Sequence, residues 1–299
     1  MGIPAADQQS AQKHLSNRML SREKSDLEGE AIPQEWPAWA CIDWWQQVAT
    51  AQRSVLMLDY DGTLAPFVRD RLRAELYPGV AQRLLRLAEC PSLRLIFVSG
   101  RQARELMGLL PPGLRAEIWG GHGREHLLLD GSYELTPLTP LQDKALGWLN
   151  RSVKERGFAG LIEEKPGSTA LHTRDLSAED KDRLTKTAQQ FFAEIESAGF
   201  NWLPFDGGIE VRAAGCSKAS AVEQILRDEG EGATTAYLGD DLTDEDAFLA
   251  LAGRGLRVLV RDKLRPTSAD LWLRPPGELV AFLDRWLDAA CRVREEISS

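Results

Sequence analysis

The stretch VLMLDYDGTLAPF, residues 55–67, carries four apolar residues into two aspartates one residue apart, Asp59 and Asp61, and then into Gly62 and Thr63. A continuous apolar run of this length reads as a strand buried on both faces, the kind found in parallel sheets covered by helices. Side chains at i and i+2 of an extended segment point to the same side. Asp59 and Asp61 are therefore expected to face the crevice beyond the carboxyl end of the strand, where open α/β sheets bind ligands. Two carboxylates this close repel, and one takes up a proton unless a cation holds the charge. A lone DxD before a turn is also the pattern of an Asx-turn, so the reading depends on what the rest of the chain adds.

It adds a second acidic cluster. GDDLTDED, with Asp240, Asp241, Asp244, Glu245 and Asp246, follows another apolar run, TAYL. If that strand neighbours the first, both clusters meet at one sheet edge. Oxygen donors without His or Cys favour a hard ion, Mg²⁺ being the usual choice where a phosphate completes the octahedron. Two more elements sit where a phosphate would need them: Ser99-Gly100-Arg101 after LIFV, and Lys218 beside Ser217 at the opening of a helix. A hydroxyl, an ammonium and backbone N–H groups at helix N-termini make a phosphate cradle.

From residue 54 to about 112 the order is strand, loop, helix, strand, helix, and the same alternation returns after residue 215. This predicts a doubly wound parallel-sheet α/β core. Between the halves, REHLLLDGSYELTPL and LIEEKPGSTALHTR carry Asp130-Gly131 and Pro166-Gly167, which are hairpin turn signals. Helices are expected near 140–156 and 177–199. The expected organisation is a core formed by residues 34–115 and 207–292, an inserted α+β cap domain at 116–206, and a disordered or loosely helical polar extension at 1–33. EWPAWACIDWWQQVATAQRS, residues 35–54, places Trp36, Trp39, Trp44 and Trp45 at roughly helical spacing, as in a helix packed on the domain edge.

Composition limits the partners. The 299 residues are 43% hydrophobic and 27% charged, with a net charge of −9, which argues against a nucleic-acid surface. Cys41, Cys90, Cys216 and Cys291 are scattered with no CxxC pair, so neither a disulfide framework nor a zinc site is expected, and a reducing cytoplasm fits. No signal-peptide pattern, no myristoylation pattern and no run of about 18 apolar residues points to a membrane.

LDYDGTL, VSGR, SKASAV and GDDLTDEDAF occur in the order of the four motifs of haloacid-dehalogenase-like phosphatases, and the chain resembles that superfamily over about residues 50–290. The resemblance implies that Asp59 is a nucleophile forming an aspartyl-phosphate, and that Asp61 protonates the leaving oxygen and then activates water. It also implies that Ser99 and Lys218 hold phosphoryl oxygens, with Gly100 and Arg101 beside them. Mg²⁺ would sit among the Asp59 carboxylate, the Asp61 backbone carbonyl and Asp240, with Asp241 and Asp244 in support.

The superfamily leaves the substrate open, and the insert narrows it. EEKPGSTALHTR resembles the hairpin of the trehalose-6-phosphate phosphatase family in Glu163, Lys165, His172 and Arg174; GGHGRE with His122 and IEVR with Glu210 match the same family. These residues are implied to read the disaccharide. Thr173, Ala213 and the CSKAS segment depart from the usual pattern. The expectation is a Mg²⁺-dependent phosphatase of trehalose 6-phosphate in trehalose biosynthesis, linked functionally to a trehalose-phosphate synthase. The alternatives are the same chemistry on sucrose, glucosylglycerol or mannosylglycerate phosphate, or a non-catalytic sugar-phosphate sensor.

Overall fold

In a computed structural model of the chain, residues 34–35, 42–68, 70–174, 176–205 and 207–291 are described. The extension expected at 1–33, and Trp36 and Trp39 with it, lie outside them. The first half runs β1 (Gln34–Glu35), α1 (Ile42–Thr50), β2 (Ser54–Leu58), α2 (Val80–Ala88), β3 (Leu93–Val98), α3 (Ala103–Leu109), β4 (Glu117–Gly120), β5 (Glu125–Leu127) and β6 (Tyr133–Leu135). The middle runs α4 (Pro140–Val153), β7 (Ile162–Lys165), β8 (Ser168–His172), α5 (Ala178–Ile195), β9 (Phe200–Phe205) and β10 (Gly208–Ala213). The last part runs α6 (Lys218–Glu229), β11 (Thr234–Gly239), α7 (Leu242–Leu251), β12 (Leu256–Val260), β13 (Leu271–Leu273) and α8 (Gly277–Cys291).

Among the described residues the strands form a nine-stranded sheet, β1-β13-β12-β11-β2-β3-β4-β5-β6, and a four-stranded antiparallel sheet, β7-β8-β10-β9. The large sheet is parallel from β1 to β4 and turns antiparallel at β5 and β6. Strand β2 lies at its centre and is buried along its whole length. Leu56 and Leu58 enter one core with Phe97, Phe282 and Trp286, while Val55 and Met57 enter another with Val222, Phe248 and Leu251. That is why the run is apolar without alternation: each face meets its own layer of helices. Full burial of such side chains contributes roughly 1.5–3 kcal/mol apiece. Trp45 on α1 meets Trp286 edge-on at 6.0 Å, fastening α1 to α8.

The smaller sheet is covered on one face by α4 and α5, whose Leu149, Leu184, Phe191 and Phe192 pack with Leu171 and Val211. Thr139 opens α4 with a reciprocal capping box to Gln142, and Ser177 caps α5 by accepting from the backbone N–H of Asp180. The period of two leaves the other face for polar residues. Glu163 and Lys165 on β7, His172 on β8 and Glu210 on β10 line a cavity between this sheet and the large one.

Two boundary expectations are corrected. Residues 117–135 belong to the large sheet, where β4 pairs with β3 and β5 and β6 continue the edge. Conversely β10, assigned to the core, is a central strand of the small sheet. A turn signal announces a hairpin without saying which sheet receives it, and the apolar content of EIWG and IEVR suits either. The cysteine expectation is also corrected. Cys90 is disulfide-bonded while Cys216 is free and buried, and cysteines as widely scattered in sequence as these give no local spacing signal for a bridge. The bond removes the argument from free thiols to a reducing compartment. Among the described residues no helix is long and apolar enough to cross a membrane.

Candidate active site

Strands β2 and β11 are parallel neighbours, with Leu58 opposite Leu238. The residues that follow them therefore emerge side by side at the carboxyl edge, and the Asp59 N–H donates to the Leu238 carbonyl at 2.9 Å. Asp59, Asp240 and Asp244 are buried, and their nearest carboxylate oxygens lie within 4.8 Å of one another. Gly62, at φ +81°, makes room for this group: a Cβ there would stand 2.1 Å from Asp240 Oδ2.

Lys218, first residue of α6, brings one ammonium to two of these carboxylates. Its Nζ is 2.9 Å from Asp59 Oδ1 and donates to Asp244 Oδ1 at 2.7 Å. Asp244 also accepts from the Tyr237 hydroxyl at 2.6 Å and from the backbone N–H groups of Asp240 and Asp241, each at 3.0 Å. Burial opposes its charge, but Lys218 and these donors hold it below the usual carboxylate range. Asp244 is thus spent on anchoring the loop and the lysine. Asp59 is left with a burial cost that Lys218 does not offset, and its pKa is pushed up to about 7. Burial and the neighbouring aspartates also drive Asp240 well above its ordinary range. Burial alone would lower the Lys218 ammonium, but Asp244 and Asp59 drive it upward. Three buried acids and one buried base leave an excess of negative charge that a divalent cation would neutralise.

Asp61 points into the same cavity but is gripped by Arg101, whose Nε and Nη2 donate to its two oxygens at 2.6 Å each. Ser99 is buried and its Oγ accepts from the Arg101 N–H at 3.2 Å. Gly100 abuts His122, since a Cβ at Gly100 would lie 2.5 Å from the ring. His122 adopts a left-handed backbone, φ 56°, uncommon for a residue other than glycine and a sign of local strain held by its surroundings. Burial lowers its pKa to about 4, so the ring is neutral, and Nε2 lies 3.1 Å from Glu210 Oε2.

On the cap side, Lys165 Nζ reaches Glu210 Oε1 at 3.3 Å, Glu163 Oε1 at 3.7 Å and the Gly100 carbonyl at 3.4 Å. Glu163 pairs with His172 at 2.9 Å and with Arg71. Burial raises the Glu163 pKa, yet His172, Lys165 and Arg71 together bring it down to about 2. Burial likewise opposes the charge of Glu210, yet the hydrogen bond with His122 and the ammonium of Lys165 hold it well below its usual range. These carboxylates are ionised acceptors at neutral pH.

The structure thus gathers the residues singled out from the sequence around one cavity of about 410 Å³. Asp59, Asp61, Ser99, Gly100, Arg101, His122, Lys218, Asp240 and Asp241 line it from the core, and Glu163, Lys165, His172, Arg174 and Glu210 from the cap. Asp244 stands behind it. Sequence reasoning missed Arg71 and Glu105, which join Arg101 to Glu163, and Arg261 and Arg265, which donate to the Asp240 carbonyl at 3.2 and 3.4 Å. It missed Tyr237 as well, since a tyrosine inside an apolar strand looks like packing.

A family model for trehalose-phosphatase matches residues 57–271. A trehalose-phosphate phosphatase of Mycobacterium avium is 32% identical over 257 residues, covering 78% of this chain and 62% of that protein. One of Mycobacterium tuberculosis is 29% identical over 255 residues, covering 79% and 61%. This chain therefore spans about three-fifths of the length of the curated relatives it matches. The C-terminal domain of Candida albicans trehalose-6-phosphate phosphatase superposes with a TM-score of 0.69 at 19% identity, over 88% of this chain and 99% of that one; the fold is the haloacid-dehalogenase-like one with a cap. With the family model running from within β2 through the β7–β8 hairpin and the second acidic cluster, the chain belongs to the trehalose-phosphatase family.

Proposed function

We propose that this protein is a Mg²⁺-dependent phosphatase that hydrolyses trehalose 6-phosphate to trehalose and phosphate through an aspartyl-phosphate on Asp59. The observation that carries the reading is the single cavity in which the Asp59, Lys218 and Asp240 group faces Glu163, Lys165, His172, Arg174 and Glu210. Its volume lies in the range of about 300–1,000 Å³ usual for small-molecule sites.

The donor set fits a hard divalent ion: Asp59 and Asp240, with the Asp61 backbone carbonyl, would hold Mg²⁺, and Asp241 and Asp244 would support the loop. When bound, the ion neutralises charge on the phosphoryl group and on the attacking carboxylate. Lys218, already 2.9 Å from Asp59, spans carboxylate and phosphoryl oxygen and reduces their repulsion, with Ser99 and the N–H groups after it taking another oxygen. Asp59 attacks phosphorus, the bond to the sugar oxygen breaks, and Asp61 delivers the proton that oxygen needs. Asp61 then takes a proton from water, whose oxygen attacks phosphorus and frees Asp59. Arg101 grips both oxygens of Asp61 in this structure, so one of the two contacts would open when Asp61 carries the proton and close again once the proton is delivered. Ionised Glu163 and Glu210 accept from sugar hydroxyls while Lys165 and Arg174 donate to them. A trehalose-phosphate synthase is the functional partner this reading implies.

Phosphate release on trehalose 6-phosphate, glucose 6-phosphate and sucrose 6-phosphate, with and without Mg²⁺, tests it. Trehalose 6-phosphate should lead by on the order of 10²-fold in kcat/KM, because remote binding energy aligns the phosphoryl group. Lys165→Ala and Arg174→Ala should erase that lead, whereas Lys218→Ala should lower every substrate alike. Equal rates on the three sugars would withdraw the substrate, and turnover by Asp59→Asn would withdraw the mechanism.

A further inference from the structure

Between the core and the cap runs a chain of alternating charges that starts at the Asp61 carboxylate and ends at Glu163. Arg101 holds Asp61 and donates from Nη1 to Glu105 Oε1 at 2.6 Å; the other oxygen of Glu105 accepts from Arg71 Nη2 at 2.6 Å; the other terminal nitrogen of Arg71 pairs with Glu163 on the cap hairpin. Each arginine in the chain is shared by two acids and each glutamate by at least two bases. Isolated surface pairs contribute little, but this is a network of half-covered groups: the side chain of Arg71 is 35% exposed and those of Glu105 and Glu163 are 14% exposed.

The backbone that carries Arg71 is itself fixed. It opens a short 3₁₀ turn, Arg71–Arg73, whose Leu72 N–H is capped by Asp70. The carbonyl of Ala74, which closes that turn, accepts at 2.6 Å from the hydroxyl of buried Tyr60, the residue between Asp59 and Asp61. Arg71 thus projects from a segment bolted to the loop of the two aspartates. Lys165 and Glu210 join the cap to Gly100 and His122 on one side of the cavity, and Arg71 joins it to α3 and the aspartate loop.

We propose that Arg71 is a positioning residue that latches the cap to the core: it holds Glu163 toward the sugar and, through Glu105 and Arg101, ties the seating of the cap to the orientation of Asp61. The proposal rests on the functional reading above for its sugar arm, while its structural arm stands apart from it. Glu105 and Glu163 diverge when Arg71 is removed, because two acids facing one gap repel. A lysine at 71 keeps the charge but replaces the two-pronged guanidinium by a single point, so it restores part of the bridge.

The test compares Arg71→Ala and Arg71→Lys with wild type by two measurements. In the first, the ratio of kcat/KM for trehalose 6-phosphate to that for p-nitrophenyl phosphate falls about tenfold or more in Arg71→Ala and recovers at least threefold in Arg71→Lys. In the second, electron–electron distance measurement between spin labels at the exposed positions Arg86→Cys on α2 and Glu194→Cys on α5 shows a longer or broader distribution in Arg71→Ala than in wild type, without any ligand. A distribution and a ratio both unchanged in Arg71→Ala overturn the latch, as does an equal loss on the two substrates with an unchanged distribution. If wild type hydrolyses p-nitrophenyl phosphate but not trehalose 6-phosphate, the substrate reading fails and the distance measurement still decides the latch.

Discussion

Asp59→Asn should stabilise the metal-free protein while abolishing its chemistry, and the size of the gain follows from the site. Burial and the nearby Asp244 push the Asp59 carboxyl from 3.8 to about 7, against the pull of Lys218. At about 1.4 kcal/mol per pH unit, that interval of about three units corresponds to on the order of 4 kcal/mol. The sign is that of a raised acid: between pH 3.8 and 7 the folded state binds more protons than the unfolded, so stability falls as pH rises through this window. The side chain of Asp59 is 6% exposed, so solvent does not screen the effect away. The asparagine amide would keep the shape and still meet Lys218 through its carbonyl oxygen, though more weakly, by about 1 kcal/mol. The variant should therefore fall about 1 kcal/mol below wild type near pH 4 and exceed it by about 3 kcal/mol at pH 8. Urea unfolding in a chelating buffer, followed by tryptophan fluorescence, measures both. Millimolar Mg²⁺ should shrink or reverse the gap, since the ion rewards the carboxylate and not the amide. No gain at pH 8, or a gain that does not depend on pH, would refute the claim that the site holds uncompensated negative charge.

Two further outcomes probe other parts of the fold. Gly62→Ala places a Cβ 2.1 Å from Asp240 Oδ2 at φ +81°, so the carboxylate must move; calorimetric titration should show Mg²⁺ affinity reduced by about tenfold or more, and an unchanged affinity would mean Asp240 does not hold the ion. Burial opposes the charge of Glu117, yet Arg94 at 2.8 Å and His126 at 2.7 Å bring its pKa down from 4.5 to about 2. Its contribution of about 3 kcal/mol is present above pH 4.5 and lost as pH falls toward 2; Glu117→Gln should lower stability at pH 7 by a similar amount and flatten the acid limb of a pH series of urea melts.

The layering of the core was legible because SVLML alternates its side chains into two separate apolar layers, and a strand with two such faces can sit only inside a covered sheet. The meeting of Asp59 with Asp240 was legible only conditionally: each cluster follows an apolar run, but nothing in either run says that β2 and β11 are neighbours. The period of two placed Glu163 with Lys165 on one face of β7, where they line the cavity. What escaped depends on tertiary choice. The hairpin after Gly120 could have joined either sheet, and β10 could have followed the core, since a strand of mixed apolar and charged residues suits both. Arg71 carries no signal at all, because an arginine in VRDRLRAEL looks like a solvated turn until Glu105 and Glu163 close around it. Asp244 carries a second part that the sequence does not announce: it accepts four hydrogen bonds and positions Lys218, which only the packing of α6 against α7 brings within reach.

The two walls of the cavity differ in charge balance, and that difference bears on what they hold. On the core wall, Asp59, Asp240 and Asp244 share Lys218, and the raised pKa values of Asp59 and Asp240 express the deficit of positive charge. On the proposed function, a divalent cation would supply the missing charge and let this wall accept a phosphoryl group. On the cap wall, Glu163 and Glu210 face Lys165 and Arg71, and both acids are held below their usual range. Such a wall is already neutralised. A second charged group would have to displace an existing pair, at the cost of leaving a buried charge alone. A neutral polyol, whose hydroxyls both donate and accept, can insert between the pairs and keep every one satisfied. On the proposed function, this asymmetry would orient a sugar phosphate in one sense: phosphate to the core, hydroxyls to the cap.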